Sequence, residues 1–393
     1  RDPVPSRAEE SSAMADGSVH GVTAERFAAV REAFEANLAS GADIGASFYA
    51  TLEGETVVDL WGGHADADRT RPWARDTIVN VYSTTKTVTA LTALLVADRG
   101  DLDFDAPVAR YWPEFAANGK DRVKVSQLMS HSAGLSGWKD PIGVEDLYDW
   151  EKATSLLAAQ APFWEPGTAS GYHGLTQGYL VGEVIRRITG KSLGTVFREE
   201  IAEPLGADFH IGLPASEDGR VAELIPPPPG QGAGDAPQDE LQANMANNPY
   251  VDVSVTRTRA WRGAEIPAVN GTGNARSVAL VHTILANGGV ANGRRFMSEA
   301  GCRKALELQI EGEDLIFRRR SRFGMGFGLA GPGVPMPNPN TLFWGGYGGS
   351  LAIIDFDART TIGYAMNKMG GTTTGDMRAF GMAMAMWDAL GLI

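Results

Sequence analysis

The chain carries a single cysteine, Cys302, among its 393 residues. No internal disulfide can form, and a reducing, cytoplasmic setting is expected. Cys302 sits in "SEAGCRKALEL", an amphipathic stretch with no adjacent histidine or base, so it reads as a buried structural thiol rather than a nucleophile. Long apolar runs are also missing. None approaches the roughly 18 residues that a membrane-spanning helix needs, and the N-terminal "RDPVPSRAEESSA" has no apolar signal core. Residues 1–19 read as a disordered leader, partly vector-derived, with Met14 as the natural start.

Positive charge is in short supply. Lys and Arg number 35 against 48 Asp and Glu, a net charge of 35 − 48 = −13. That sign argues against a nucleic-acid partner and for self-repelling solubility. The one dense basic cluster, Arg318, Arg319, Arg320 and Arg322, reads as a solvated loop at this net charge. The six histidines (His20, His64, His131, His173, His210 and His282) show no HExxH or other ligand spacing, so no metal and no cofactor is expected. What remains is the 43% apolar, 21% charged composition of a globular chain long enough for more than one core.

Periodicity supplies the organisation. "VTAERFAAVREAFEANLASG" puts Phe27, Val30, Phe34 and Leu38 on one helical face and stops at Gly41. "IGASFYATLEGETVVDLWGG" reads as two strands around Glu53-Gly54-Glu55. Ser83 to Arg99 is helical and closed by Gly100. Short helices and Pro- or Gly-rich loops fill about 102–220, and "PPPPGQGAGDAP" from Pro226 is an irregular loop. "SLAIIDFDARTTIGYAMN" predicts a hairpin turning at Asp357-Ala358-Arg359. The final helix carries a stripe of Met377, Phe380, Met384 and Trp387, expected to pack on a sheet. This order predicts an α+β fold. Residues 20–81 and 264–393 would share one antiparallel sheet flanked by N- and C-terminal helices, with a mostly helical domain, 82–263, inserted between them.

Ser83-Thr84-Thr85-Lys86 is an S-x-x-K pair where an extended "VNVYS" runs into an apolar helix. Lys86 falls one turn after Ser83, and unpaired N–H groups at the helix start favour a developing oxyanion. A desolvated lysine there can take the serine proton. Equally, a serine cap followed by a snorkelling lysine would satisfy the same four residues. The copy at Ser136-Gly137-Trp138-Lys139 lies between Gly134 and Pro141, where no helix holds the two together. Tyr172, flanked by Gly171 and Gly174 ahead of a helix, has a hydroxyl that a loop can aim. "LFWGGYGGSLAIIDF" brings bare backbone toward a strand.

These pieces, in this order, resemble the serine hydrolases of the β-lactamase and penicillin-binding-protein type, and among them the family VIII carboxylesterases. The resemblance runs from about residue 20 to the C-terminus and includes "DAPVARYWPEF", "VSQLMSHSAGL" and "ARSVALVHTILANGG". It implies a β-lactamase-like fold and a small-molecule ester substrate. Ser83 would be the acylated nucleophile and Lys86 its activator. Tyr172 would be base in acylation and donor to the leaving alkoxide. Tyr347 N–H, with that of Ser83, would form the oxyanion hole, and Trp344, Gly345 and Gly346 would replace K-T-G. Gly174 stands where the family's Y-x-N motif has asparagine, and Trp344 where K-T-G has lysine. Both departures point to esters over lactams, with a β-lactamase, a D-alanyl-D-alanine peptidase or a non-catalytic binding protein as alternatives. Trp138, Trp150, Trp164, Tyr250 and Trp261 are the expected pocket walls.

Two other patterns mislead. Gly190-Lys191-Ser192-Leu193-Gly194 imitates a nucleophile elbow, but Ser192 reads as a helix cap. Gly326-Phe327-Gly328-Leu329-Ala330-Gly331 imitates a dinucleotide loop, but no helix can follow it. His131 is expected to be a structural hydrogen-bonding residue, and His173 is a candidate for tuning Tyr172.

Overall fold

The computed structural model describes residues 18–230 and 236–393. Most of the expected leader therefore lies outside the described residues, as do five residues of the Pro/Gly-rich loop. Nine antiparallel strands form the main sheet: β1 Val19–Thr23, β2 Gly45–Leu52, β3 Glu55–Gly63, β4 Ile310–Glu313, β5 Arg320–Phe323, β6 Gly328–Leu329, β7 Thr341–Gly345, β8 Leu351–Asp355 and β9 Thr360–Met366. Their order is β1-β3-β2-β9-β8-β7-β6-β5-β4. The two ends of the chain meet at β2 and β9, where Phe48 pairs with Tyr364 and Tyr49 with Gly363. The turn at Glu53 and Gly54 has positive φ at both residues, the backbone that matches strand twist in a two-residue hairpin.

Helices cover the sheet. Tyr49 packs on Ala275 and Ala279 of the helix Ala275–Ala286. A methyl on Gly363 would stand 2.3 Å from Ala275 O, so that residue must be bare for the helix to lie this close. Helix α1, Ala28–Ala39, buries Val30 and Phe34 and packs on the C-terminal helix Met377–Leu390. There the expected stripe holds only in part, since Trp387 is buried and Phe380 packs against it but the two methionines of the stripe do not. Met377 is 73% and Met384 45% exposed, while Ala379, Met382, Ala383, Met386 and Trp387 face inward. Both faces of this helix carry methionines, so hydropathy alone could not choose between them.

In the helical part, Thr85–Asp98 is buried from Thr85 through Val96. It packs on Thr176–Thr189 and Leu193–Phe197. A small sheet of Val79–Asn80, Thr272–Gly273 and Phe209–His210 ties the start of the helical part to the returning chain. Arg320 and Arg322 lie on β5 rather than in the expected solvated loop, since they pair across to β4 and bond Glu311. Cys302 is buried, its Sγ against Ile284 O, and burial pushes its thiol up to about 12.

A buried ion network locks the last helix to the sheet. Arg378 donates to Asp43 Oδ1 at 2.8 Å, Lys368 O at 2.7 Å and Gly348 O at 2.6 Å. Tyr364 OH also donates to Asp43. Removing the guanidinium leaves the buried Asp43 carboxylate with the Tyr364 hydroxyl alone and takes the cation from the part-buried Asp376. Arg378→Ala is expected to cost about 3 kcal/mol, read as a lowered denaturant midpoint with an unchanged slope.

Candidate active site

The turn that presents Ser83 is clamped from three sides. Val81 N–H donates to Gly271 O at 2.9 Å. Ser350 Oγ donates to Val81 O at 2.8 Å and meets Thr84 Oγ1 at 2.9 Å. The chain beyond β7 comes so close that a methyl on Gly346 would stand 2.1 Å from Val81 O. The expected extended "VNVYS" stops after Val79–Asn80, since Val81 leaves the strand conformation and Tyr82 has φ +43°. A non-glycine residue in that region stores strain, and the clamps on Val81 and Thr84 hold it there. The chain then makes a tight turn over Tyr82–Thr84 and enters the helix at Thr85. Ser83 is thus raised at the start of a buried helix.

Lys86 is 1% exposed. Its Nζ lies 3.1 Å from Ser83 Oγ and donates to Gly174 O at 2.7 Å and Ala268 O at 3.0 Å. Burial with no carboxylate beside it holds the amine well below its ordinary pKa. A neutral amine has two N–H bonds and one lone pair. The two carbonyls take the N–H bonds, which leaves the lone pair for the serine hydroxyl. Gly178 makes this cradle possible. A methyl there would meet Ala268 N at 2.5 Å, so a bare residue lets the 267–268 segment lie against the helix and reach Lys86.

Tyr172 OH donates to Ser83 Oγ at 2.6 Å, and the lysine Nζ stands 4.8 Å from the centre of the phenol ring. Burial, which outweighs the bond to Ser83, pushes the phenol up to about 12. The loop behind it is held by buried histidines. His173 Nδ1 donates to Gly171 O at 2.6 Å, its Nε2 accepts from Leu135 N–H, and its own backbone N–H donates to His131 Nδ1. Both rings are kept neutral by burial. His131 is therefore structural, as expected. His173 acts on Tyr172 through the backbone, with no bond to the phenol. Asp314 adds a tether that the sequence reading missed. Its Oδ1 accepts from the N–H groups of Tyr172 at 3.2 Å, Ile316 at 2.9 Å and Phe317 at 2.9 Å.

The walls differ from expectation. Trp138 is 1% exposed, donates Nε1–H to Ala153 O and packs on Tyr179, so it is core and not a substrate contact. Trp261 is likewise buried, bonded to Asn80. Trp150 bonds Glu183 and packs on Tyr179, and Trp164 stands edge-on to His173. These indole N–H groups all find internal acceptors, which draws Trp138 and Trp261 fully inward and leaves Trp150 and Trp164 half-buried. Trp344 does stand at the site, its ring 5.5 Å from that of Tyr172, with Gly345 and Gly346 beyond it. Tyr347 follows, its ring 5.4 Å from that of Tyr82, and Tyr250 is 64% exposed. Phe317 stacks on Tyr172 at 4.5 Å, with Ile316, Leu241 and Met245 in the same apolar cluster. Leu241 and Met245, four apart after the cap Asp239, were the legible signal for this wall.

The second S-x-x-K copy holds nothing together. Ser136 Oγ is buried without a hydrogen-bond partner, and Lys139 reaches over Phe163. Ser192 caps the helix Leu193–Phe197 through Thr195 N–H. Gly328–Leu329 is strand β6, with no helix after it. Among the described residues no cluster of His, Cys, Asp and Glu could hold a metal, and no helix is long and apolar enough to cross a membrane.

A helical part inserted into an antiparallel sheet, with serine, lysine and tyrosine meeting between them, defines a class of serine hydrolases. The chain belongs to the beta-lactamase family, whose model matches residues 30–385. It is similar to the "Esterase/beta-lactamase LipL" of Mycobacterium tuberculosis (strain ATCC 25618 / H37Rv), at 36% identity over 89% of this chain and 83% of that protein. A solved family VIII carboxylesterase superposes with a TM-score of 0.90 at 44% identity, covering 95% of this chain and all (100%) of the other. A penicillin-binding protein homolog from Caulobacter crescentus gives 0.89 at 39%, covering 95% and 100%.

The glycine cradle can be tested against a neutral control. Gly178→Ala is expected to destabilise by about 1–3 kcal/mol, since the added methyl meets backbone. Gly381→Ala, in the middle of the last helix with nothing within 4 Å of the added carbon, is expected to stabilise by about 0.5–1 kcal/mol. Thermal melts should move in opposite directions.

Proposed function

We propose that this protein is a carboxylesterase acting on short-chain esters of small molecules through an acyl-enzyme on Ser83, in a reducing, cytoplasmic setting. The observation that carries this reading is the convergence of Ser83 Oγ with a buried, carbonyl-cradled Lys86 amine and the Tyr172 phenol. With Lys86 neutral, the serine proton passes to its lone pair as Oγ attacks the ester carbon. The carbonyl oxygen becomes an oxyanion facing the N–H groups of Ser83 and Tyr347. Tyr172 then serves as the donor. A phenol pushed up to about 12 keeps its proton at neutral pH and can pass it to the departing alkoxide, with Lys86 returning one. The same shift disfavours the phenolate, so the role of acylation base moves from Tyr172 to Lys86. Water repeats the sequence in reverse to free the acid.

The ester reading is favoured by what fills the place of the family's asparagine. A side chain on Gly174 would run into Met245, whose Sδ lies 3.1 Å from an added Cβ. The slot that would hold a polar amide is thus apolar, and Trp344 offers no charge to a carboxylate. Similar proteins bear the names esterase and penicillin-binding protein homolog, so a β-lactam side activity is the second reading. Comparing kcat/KM for nitrocefin and p-nitrophenyl butyrate separates the two.

Ser83→Ala should lower p-nitrophenyl butyrate hydrolysis by more than about 10⁴-fold while the melting temperature holds. Retained activity, or failure of a serine-reactive phosphonate to add its mass to the wild type, would remove the proposal. Tyr172→Phe is expected to lose about 10²–10⁴-fold in kcat on ethyl butyrate and far less on p-nitrophenyl butyrate, whose leaving group departs without a proton. Equal losses on both would take the donor role from Tyr172.

The pH profile follows from the two shifts. Lys86 must be neutral to act, so kcat/KM falls as pH drops through its lowered pKa. Tyr172 must be protonated, so activity falls only as pH rises toward about 12. A plateau that begins above the lowered Lys86 pKa and runs to strongly alkaline pH is expected with a stable ester. Activity that rises on acidification would mean that Lys86 works as the ammonium.

A further inference from the structure

A cavity of about 60 Å³ lies where β5, β6 and β7 meet the 317–319 segment. Phe317, Phe323, Phe343 and Trp344 line it, together with Arg319 and Arg322. Phe317 and Trp344 are two of the rings against Tyr172, so the cavity and the catalytic cluster share walls. Its charge is unbalanced. Arg320 and Arg322 divide a single carboxylate, Glu311, at 2.6 Å and 3.0 Å. Arg322 Nε–H is buried with no acceptor. Arg319 has no acidic partner among the described residues. Its Nη2 donates to Thr374 Oγ1 at 3.0 Å, and its guanidinium carbon stands 4.9 Å from the centre of the Phe317 ring. Glu313, opposite Arg320 in register, makes no ion pair with it. Three guanidiniums against one paired carboxylate is an unusual excess in a chain of net charge −13. A buried donor without an acceptor is costly, and an anion would satisfy it.

We infer that this cavity is an anion subsite that takes a carboxylate on a short apolar arm. Such a group is the distal carboxylate of a dicarboxylic half-ester, or the free acid it yields. The rings suit the methylenes, and the guanidinium fork suits the carboxylate. At about 10–15 Å³ per water-sized group, 60 Å³ takes a carboxylate and a few carbons but no ring. Assigning the anion to the substrate rests on the esterase reading; the cavity and its charge do not.

The test compares p-nitrophenyl hydrogen glutarate with p-nitrophenyl pentanoate, which matches it in chain length. In Arg319→Ala the kcat/KM ratio of charged to neutral ester is expected to fall about tenfold or more, with partial recovery in Arg319→Lys. Added salt should narrow the wild-type ratio. Glutarate itself is titrated calorimetrically into wild type and Arg319→Ala. Saturable binding that the variant loses, with an unchanged ester ratio, assigns the pocket to the product acid. An unchanged ratio together with no glutarate binding overturns the inference. If the wild type cleaves neither ester, the esterase reading fails, and the calorimetry alone decides the pocket.

Discussion

The structure turns on one desolvated amine. Lys86 Nζ is enclosed with two backbone carbonyls and a serine hydroxyl, and no carboxylate stands by to keep it charged. Each neighbouring feature serves that enclosure. The apolar helix from Thr85 carries the lysine into the core. Gly178 lets the 267–268 backbone approach, and the 171–174 loop supplies the second carbonyl and the phenol. An ammonium here has no carboxylate to compensate it, so burial lowers the pKa of the amine and favours the neutral form on which the proposed mechanism draws.

Holding three groups from distant parts of the chain to within hydrogen-bond reach demands rigid supports. Ser83 is fixed by Gly271 and Ser350, one from each side of the small sheet and the strand beyond Gly346. Tyr172 hangs from His131, His173 and Asp314, whose buried polar atoms form bonds that leave the loop little freedom. Arg378 donates to Gly348 O and so ties the residue after Tyr347 to the last helix. The strain at Tyr82 is tolerable because these clamps over-determine it. Rigidity of this kind suits acyl transfer, where small misplacements of reacting groups cost large factors in rate.

Around this fixed centre, the walls are apolar and assembled late in the chain. Phe317 stacks on Tyr172, Trp344 stands tilted against it, and Met245 occupies the space over Gly174. The pairing of a bare residue at 174 with a methionine at 245 means that neither position can be understood alone. A side chain at 174 would require the end of the methionine to shift. Arg319 and Arg322 then place positive charge beyond the aromatic floor, beside the chemistry and outside it.

Much of the architecture follows from local pattern. The α1 face of Phe27, Val30 and Phe34, the hairpin at Glu53-Gly54 and the turn before Arg359 are set by periodicity and turn chemistry within a few residues. Ser83, Lys86 and Tyr172 could be picked out because their spacing and glycine surroundings have short-range physical meaning. The S-x-x-K pair is ambiguous with a helix cap in sequence, and the fold places the lysine against Ala268 O, since burial is decided by residues far along the chain. Tryptophans 138 and 261 were misplaced for the same reason. Their internal acceptors, Ala153 O and Asn80 Oδ1, come from segments whose proximity no local pattern encodes. Sequence determined most of the elements and marked the residues to which the chemistry is proposed to belong. Only the tertiary structure decided which charges are desolvated and which rings face the cleft, because both depend on contacts between separate segments, Trp138 with Ala153 as well as Lys86 with Gly174 and Ala268.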